Sequence, residues 1–206
     1  MINNTARDLG ALLPTLPAID PDLLRALHDR LGAAAQREGL LDVAYRTVDS
    51  PVGTLLLAAT EQGLVRVAYA SEGHDAVLAR LATDISPRIL AAPARLDIAA
   101  GEIEEYFARR RTGFDLPLDL RLAGGFRREV LNHLAEIRYG HTASYAQLAA
   151  AAGNPKAVRA VGTACGHNPL PIVLPCHRVV RSDGSPGGYV GGAEAKHTLL
   201  SLEAAR

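Results

Sequence analysis

The sequence predicts an α+β chain, an antiparallel β-meander with helices followed by a mostly helical C-terminal part carrying a helix-turn-helix. Three observations predict it. Between Asp42 and Tyr69, β-rich runs alternate with short turns of Gly, Pro and Asp. Beyond Gly125 the apolar period lengthens to that of a helix. From Ser144 to Gly166, two short helical stretches are parted only by Gly153-Asn154-Pro155.

Residues 1–19 show no period and contain two prolines, so a draped segment is expected there. Asp20-Pro21 reads as an N-cap followed by proline at the first helical position. Leu23, Leu24, Leu27 and Leu31 then make an apolar stripe on what reads as a packing helix, which Gly39 ends. Strands are expected at Val43–Val48, Thr54–Thr60 and Leu64–Tyr69, parted by Asp49-Ser50-Pro51-Val52-Gly53 and Glu61-Gln62-Gly63. His74–Leu81 and Ile98–Arg109 read as helices, and Phe114–Leu120 as a short strand or extended linker. Phe126, Val130, Leu131, Leu134 and Ile137 share a helix face before a break at Tyr139-Gly140. Ser144-x-x-Gln147 has the form of a capping box, and Gly153 is placed to stop the helix it opens. Asn154-Pro155 is then expected to cap the next helix at once, from Lys156 to about Gly166. That helix is rich in small residues, with Arg159 as the long cation at its middle, and suits either a core or close approach to DNA. Three units follow: an extension with a helix over 1–41, an α+β scaffold over 42–120 and a C-terminal unit over 121–206.

Composition narrows the function. With 48% hydrophobic and 21% charged residues among 206, the chain has the makeup of a globular protein with a real core. Two cysteines without a CxxC pair suggest neither a disulfide framework nor a cysteine zinc site, so no metal is expected. No basic stretch leads into an apolar core near Met1, and no long uncharged apolar run occurs. A cytoplasmic chain with reduced thiols and no membrane contact is therefore expected. Net charge is zero but uneven. Residues 1–120 hold 12 Lys/Arg against 17 Asp/Glu, and residues 121–206 hold 10 against 5. A basic half joined to an acidic one hints at a polyanion-binding face.

The chemistry concentrates at Pro171-Ile172-Val173-Leu174-Pro175-Cys176-His177-Arg178-Val179-Val180. Pro175 restrains Leu174, so a rigid, extended approach to Cys176 is expected. A thiol, an adjacent His and a distant carboxylate are the parts of an activated nucleophile. His177 would take the thiol proton, directly or through a water, and Glu203 would hold the imidazole tautomer. Adjacent side chains in a strand point to opposite faces, so a bend or a water bridge is needed to bring the pair together. A free Cys in an apolar run is otherwise a small hydrophobe. Glycines at 187, 188, 191 and 192 let backbone approach a ligand closely, or merely shape a hairpin.

Arg159-Ala160-Val161-Gly162, Asn168-Pro169-Leu170-Pro171-Ile172, Pro175-Cys176-His177-Arg178-Val179, Gly188-Tyr189 and Lys196-x-x-Leu199-Leu200 occur in this order. The string, extending back through Tyr139-Gly140-x-Thr142-x-Ser144-Tyr145 to Tyr45–Ala59, closely resembles the O-6-alkylguanine-DNA alkyltransferase family. The resemblance covers about residues 42–204 and implies a ribonuclease H-like roll ahead of the helical part. It implies Cys176 as alkyl acceptor in an in-line displacement, with His177 and Glu203 as its relay. Tyr145 resembles the hydroxyl that bonds the flipped guanine and helps neutralise it as it leaves. Lys196 resembles the lysine near that base, and Asn168 the hinge joining recognition helix to acceptor segment. Tyr189 should wall the base pocket beside Gly191, the Val190 amide donate to the guanine oxygen, and the Cys176 and Val179 carbonyls accept from its amine. Arg159 resembles the finger filling the gap in the duplex, with Ala160, Gly162 and Thr163 against the minor groove.

The implied partner is double-stranded DNA carrying O-6-alkylguanine, with O-4-alkylthymine as a further substrate, no cofactor, and a monomer acting once. The sequence offers no second thiol positioned to remove the alkyl group, Cys165 reading as a packing residue. Arg127, Arg138, Cys165, Gly166 and Val190 depart from the family pattern and bear on DNA affinity and substrate size. Two other classes compete. One is a lesion-recognition module, which lacks the acceptor cysteine. The other is a thiol-dependent protein acting on a small alkylating molecule, or a Cys-His hydrolase, which needs neither Tyr145, Arg159 nor Asn168.

Overall fold

The computed structural model describes residues 20–204, so the draped segment expected over residues 1–19 lies outside the described residues. Helix α1 spans Pro21–Arg37, with the Asp20 carboxylate accepting from the Asp22 amide at 2.9 Å. Gly39, at φ +64°, closes it as the Leu40 amide donates back to the Ala35 carbonyl at 2.8 Å. The helix forms as expected but packs differently. It docks through Ala35 and Gly32, whose added Cβ would meet the Ala92 methyl at 3.3 Å. The leucine stripe expected to pack is instead 42–55% exposed at Leu23, Leu24, Leu27 and Leu31. Small residues let the helix axis come close to its neighbour, and long ones on an adjacent face are left outside.

Three strands form the meander, β1 (Val43–Val48), β2 (Leu55–Thr60) and β3 (Gly63–Tyr69), each antiparallel to the next. A fourth strand, β4 (Ile89–Ala91), lies parallel to β1 and gives the order β3-β2-β1-β4. The sheet is therefore not wholly antiparallel, because the chain crosses over through helix α2 (His74–Asp84) before β4. Every residue of β2 is buried. Leu56 and Ala58 face α2 through Val77 and Leu81, while Leu55, Leu57 and Ala59 face the larger core with helix α3 (Asp97–Phe107). Burial on both faces explains why this run lacks alternation. The stretch Phe114–Leu120 makes only an isolated bridge, Leu118 beside Leu64. Gly63 admits it, since a Cβ there would stand 2.1 Å from the Pro117 carbonyl oxygen.

The rest is mostly helical: α4 (Gly125–Leu134), α5 (Tyr145–Ala151), α6 (Val158–Gly166) and α7 (Gly192–Ala204). Ile137 falls beyond α4, in a turn where its amide donates to the Leu134 carbonyl. The Ser144 capping box forms, hydroxyl to Gln147 amide at 3.1 Å and Gln147 amide oxygen to Ser144 N–H at 2.7 Å. Asn154-Pro155 does not cap α6. It makes a turn closed by Ala157 N–H to the Asn154 carbonyl, and the helix begins at Val158. The two parts share one core, in which Leu57, Ile103 and Tyr106 join Leu131, Leu134, Cys176 and Leu199. Strand β3 also grips the chain just after α6. The Val67 amide donates to the Pro169 carbonyl at 2.9 Å, and the Arg66 guanidinium donates to it at 3.2 Å and ion-pairs with Glu72.

Candidate active site

All ten residues from Pro171 to Val180 are buried. After α6 the chain makes a tight loop in which the Leu174 amide reaches the Leu170 carbonyl at 2.8 Å, with Ile172 at φ +73°. A β-branched residue there is strained by roughly 1–3 kcal/mol and persists only where its surroundings fix it. Asn168 does the fixing. Its Oδ1 accepts from the Leu170 amide at 3.0 Å, and its Nδ2 donates to the Leu174 carbonyl at 2.8 Å and to the Cys176 Sγ at 3.1 Å.

Cys176 does not sit on the extended approach expected. Residues Cys176–Arg178 form a 3-10 turn that leads into strand β6 (Val179–Val180). The turn supplies the bend that a Cys-His pair needs. β6 pairs in parallel with β5 (Ala143–Ser144), which sets the start of α5, and hence Tyr145, beside the acceptor segment.

His177 is fully buried, its Nε2 2.9 Å from Glu203 Oε1. Because the carboxylate accepts there, Nε2 carries the proton and Nδ1 is left with a lone pair. Among the described residues Nδ1 is a buried nitrogen with no protein partner, on the residue that follows the thiol in sequence. Arg178 also binds Glu203, Nε to Oε2 and Nη2 to Oε1 both at 2.9 Å, and its guanidinium lies 5.7 Å over the Tyr139 ring. Further donors to Glu203 are the Tyr106 hydroxyl at 2.6 Å and the Gly140 amide at 3.2 Å. Despite its burial, hydrogen bonds from His177 and Arg178 pull Glu203 down to about 2. His177 is shifted down by burial, which outweighs the pull of Glu203. Arg178 already balances the carboxylate charge, so the imidazole rests neutral. Burial raises the Cys176 thiol to about 11, against the lowering effects of the Asn168 hydrogen bond and the Lys196 charge.

Lys196 is fully buried, and burial lowers its pKa. Its ammonium donates to the Val179 carbonyl at 2.6 Å. Tyr189 is half-buried, its ring 6.2 Å edge-on from His177 and its hydroxyl 2.8 Å from that of Tyr69. Gly187 and Gly191 are required by contact. A Cβ would stand 2.2 Å from the Tyr145 hydroxyl at the first and 2.6 Å from the Tyr69 ring at the second. Burial raises the Tyr145 pKa, and the hydroxyl remains a donor at neutral pH. Val190 is half-buried and lines a groove with Arg66, Arg127 and Pro169.

Helix α6 turns Val161, Ala164 and Cys165 inward and leaves Arg159, Ala160, Thr163 and Gly166 exposed, with Gly162 half-buried. The structure thus gathers Cys176, Asn168, His177, Glu203, Lys196 and Val179 into one buried cluster, with half-buried Tyr189 edge-on to His177. Arg159, Ala160 and Thr163 lie on an outer helix face of small residues. Sequence reasoning assigned no role to Arg178 or Tyr106. An arginine inside an apolar run signals the first, whereas nothing in the pattern around Tyr106 distinguishes it from any core aromatic.

Two family models match the chain in order. The ribonuclease-like domain of 6-O-methylguanine DNA methyltransferase covers residues 43–120, and its DNA-binding domain covers residues 125–205. A methylated-DNA–protein-cysteine methyltransferase of Mycolicibacterium paratuberculosis is 42% identical over 161 residues, spanning 78% of this chain and 92% of that protein. The Homo sapiens protein of the same name is 39% identical over 166 residues, 78% of this chain and 80% of its own. Among solved structures, the Mycobacterium tuberculosis O6-methylguanine methyltransferase matches with a TM-score of 0.70 at 38% identity, covering 80% of this chain and 94% of that one. The OGT of that organism in complex with DNA matches with a TM-score of 0.67 at 38% identity, covering 79% and 93%. Agreement across both parts of the chain, around a buried thiol backed by histidine and carboxylate, has one meaning: this chain belongs to the methylated-DNA–protein-cysteine methyltransferase family.

Proposed function

We propose that this chain repairs DNA by direct reversal, moving the alkyl group of an O-6-alkylguanine irreversibly onto Cys176. The observation that carries this reading is the buried Cys176 thiol, held by Asn168, beside a neutral His177 whose unpartnered Nδ1 is the available base. In the reaction the thiol proton passes to His177 Nδ1 through a water. The sulfur forms a bond to the alkyl carbon as the bond from that carbon to guanine O-6 breaks, and the electron pair leaves with the base. Tyr145 donates a hydrogen bond to the departing guanine anion and keeps its own proton in the net reaction. The proton held on His177 passes through water to the guanine, so that one proton in total moves from thiol to guanine. Glu203 holds His177 in the required tautomer and stabilises its cation. Lys196 tightens the wall formed by Val179 while its charge favours the thiolate.

Duplex DNA fits the outer face of α6. Ala160, Gly162 and Thr163 let that helix enter the minor groove, Arg159 fills the space of the extruded nucleotide, and the base stacks against Tyr189 near Val190 and Gly191. O-4-alkylthymine presents the same alkyl-oxygen bond. The reading includes a division into 42–120 and 121–206, a monomer, and a cytoplasmic setting that keeps the thiols reduced. Among the described residues no helix is long and apolar enough to cross a membrane. Release of the alkyl group from a thioether would need a second thiolate. Cys165, the other thiol, packs inward on α6 and burial raises its pKa as well, and a thioether is a poor leaving group, so each molecule is expected to react once.

The test is intact-protein mass after mixing with a duplex carrying one O-6-methylguanine, followed by peptide mapping. One methyl on the Cys176 peptide, never more than one per protein and absent from Cys176→Ala, is expected. Lesion-specific binding without mass gain would convert the reading to a recognition module. Neither binding nor transfer would mean that the site serves another alkyl donor.

A further inference from the structure

Every group assigned to the proton relay so far lies beyond residue 125. One more hydrogen bond reaches it from the other side of the chain. Tyr106, on α3, is fully buried, and its hydroxyl donates at 2.6 Å to Glu203 Oε1, the same oxygen that accepts from His177 Nε2 at 2.9 Å. Its ring is held by three aromatic neighbours: Phe107 at 5.3 Å, Phe114 at 5.4 Å and Tyr139 at 6.0 Å. Tyr139 also carries the Arg178 guanidinium and donates to the Leu202 carbonyl on α7. A hydroxyl this immobile and this close to a carboxylate does more than fill space. A neutral donor draws electron density from Oε1 and weakens its hold on the histidine proton.

We propose that Tyr106 is a positioning residue for alkyl transfer, through which the N-terminal part sets the basicity and orientation of the Glu203–His177 pair. The inference rests on the reading of His177 as the base for Cys176. The groups facing the pair from every packed element are Arg178, Lys196, Cys176, Tyr139 and Tyr189, and Arg178 and Lys196 each disfavour the imidazolium. Tyr106 works in the same direction. It blunts the one charge that would favour the cation and leaves the imidazole neutral and able to accept a proton. Its own pKa is raised by burial and by the Glu203 charge, so the hydroxyl remains a donor throughout the working range.

Tyr106→Phe removes the oxygen and keeps the ring packing. With the donor gone, Glu203 Oε1 pulls harder on the His177 proton, and the imidazole midpoint should rise by about half a unit or more. NMR titration of the His177 imidazole in the free protein reads this without DNA. The acid limb of single-turnover methyl transfer should move up with it, while the rate at pH 8 changes only a few-fold. In a Glu203→Gln background the same substitution should shift neither, because the carboxylate through which it acts is gone. Phe114→Leu, which loosens the same ring cluster without touching the oxygen, should leave the midpoint in place.

An unchanged His177 midpoint in a folded Tyr106→Phe protein would overturn the proposal. An equal shift from Phe114→Leu would do so as well, because packing alone would then explain it. If the wild type transfers no methyl while the imidazole midpoint still moves with Tyr106→Phe, the coupling stands and the assigned reaction fails.

Discussion

Burial holds the Cys176 thiol at about 11, so at neutral pH the proposed nucleophile still carries its proton. The reaction must then remove that proton inside the complex. His177, shifted down by burial, is ready to receive it. Thiol and imidazole together are neutral, and passing a proton between them changes no net charge. The single-turnover rate is therefore expected to be level from about pH 7 to 9 and to fall in acid as Nδ1 becomes protonated. A rate rising tenfold per pH unit towards 11 would instead mean that bulk hydroxide makes the thiolate. Asn168 belongs to the same scale. Asn168→Ala strips partners from the Leu170 amide, the Leu174 carbonyl and the thiol, all buried. A stability loss of about 2–4 kcal/mol in denaturant unfolding, with slowed transfer, is expected.

Elements contribute geometry that single residues do not reveal. The outer face of α6 carries Arg159, Ala160 and Thr163 exposed, while Val161, Ala164 and Cys165 anchor it. Ala160→Leu adds bulk to solvent, so its effect on stability should stay within about 0.5 kcal/mol. Its effect on duplex binding should be large, because the added side chain holds the helix backbone away from a groove. Equal affinity of the two proteins in a titration with duplex would remove α6 as the binding element. The leucines of α1 offer a contrasting case. Leu27 is 48% exposed, so Leu27→Glu should leave the unfolding midpoint almost unmoved, whereas Leu131→Ala should cost about 2–5 kcal/mol.

The whole molecule is joined by contacts that cross between its two parts: Arg66 and Val67 on the Asn168-Pro169 backbone, Tyr69 on Tyr189, and Tyr106 on Glu203. Acid and base should attack this junction at its titrating groups. Glu203 is depressed to about 2 from an ordinary 4.5, so its contribution is complete above 4.5 and is lost as pH falls from 4.5 towards 2. His177 is buried neutral, and below its ordinary 6.5 the unfolded chain binds the proton more readily, which adds to the loss. Cys176 is raised from 9 to about 11, so above 9 the unfolded chain sheds its proton first and stability declines through 11. Denaturant unfolding across pH should trace a plateau between about 6.5 and 9 with both flanks falling. Glu203→Gln should flatten the part of the acid flank between 4.5 and 2.

Local chemistry made much of this legible in the sequence. The Asp20 cap, the Ser144 capping box, the Gly153 stop, the three meander strands and the Cys-His segment each depend on neighbours within a few residues. The short strand β4 was not legible, because three half-buried residues following Pro87 make no period and become a strand only by pairing with β1. The exposure of the α1 stripe depended on which face the fold could approach most closely, and the answer was the small residues. The bend at Cys176 depended on Asn168 holding a strained loop from outside it. What the sequence alone determined was the set of residues proposed as reacting groups and their order along the chain. Only the tertiary structure decided that an α3 tyrosine touches an α7 carboxylate 97 positions away, since nothing local to either residue encodes that contact.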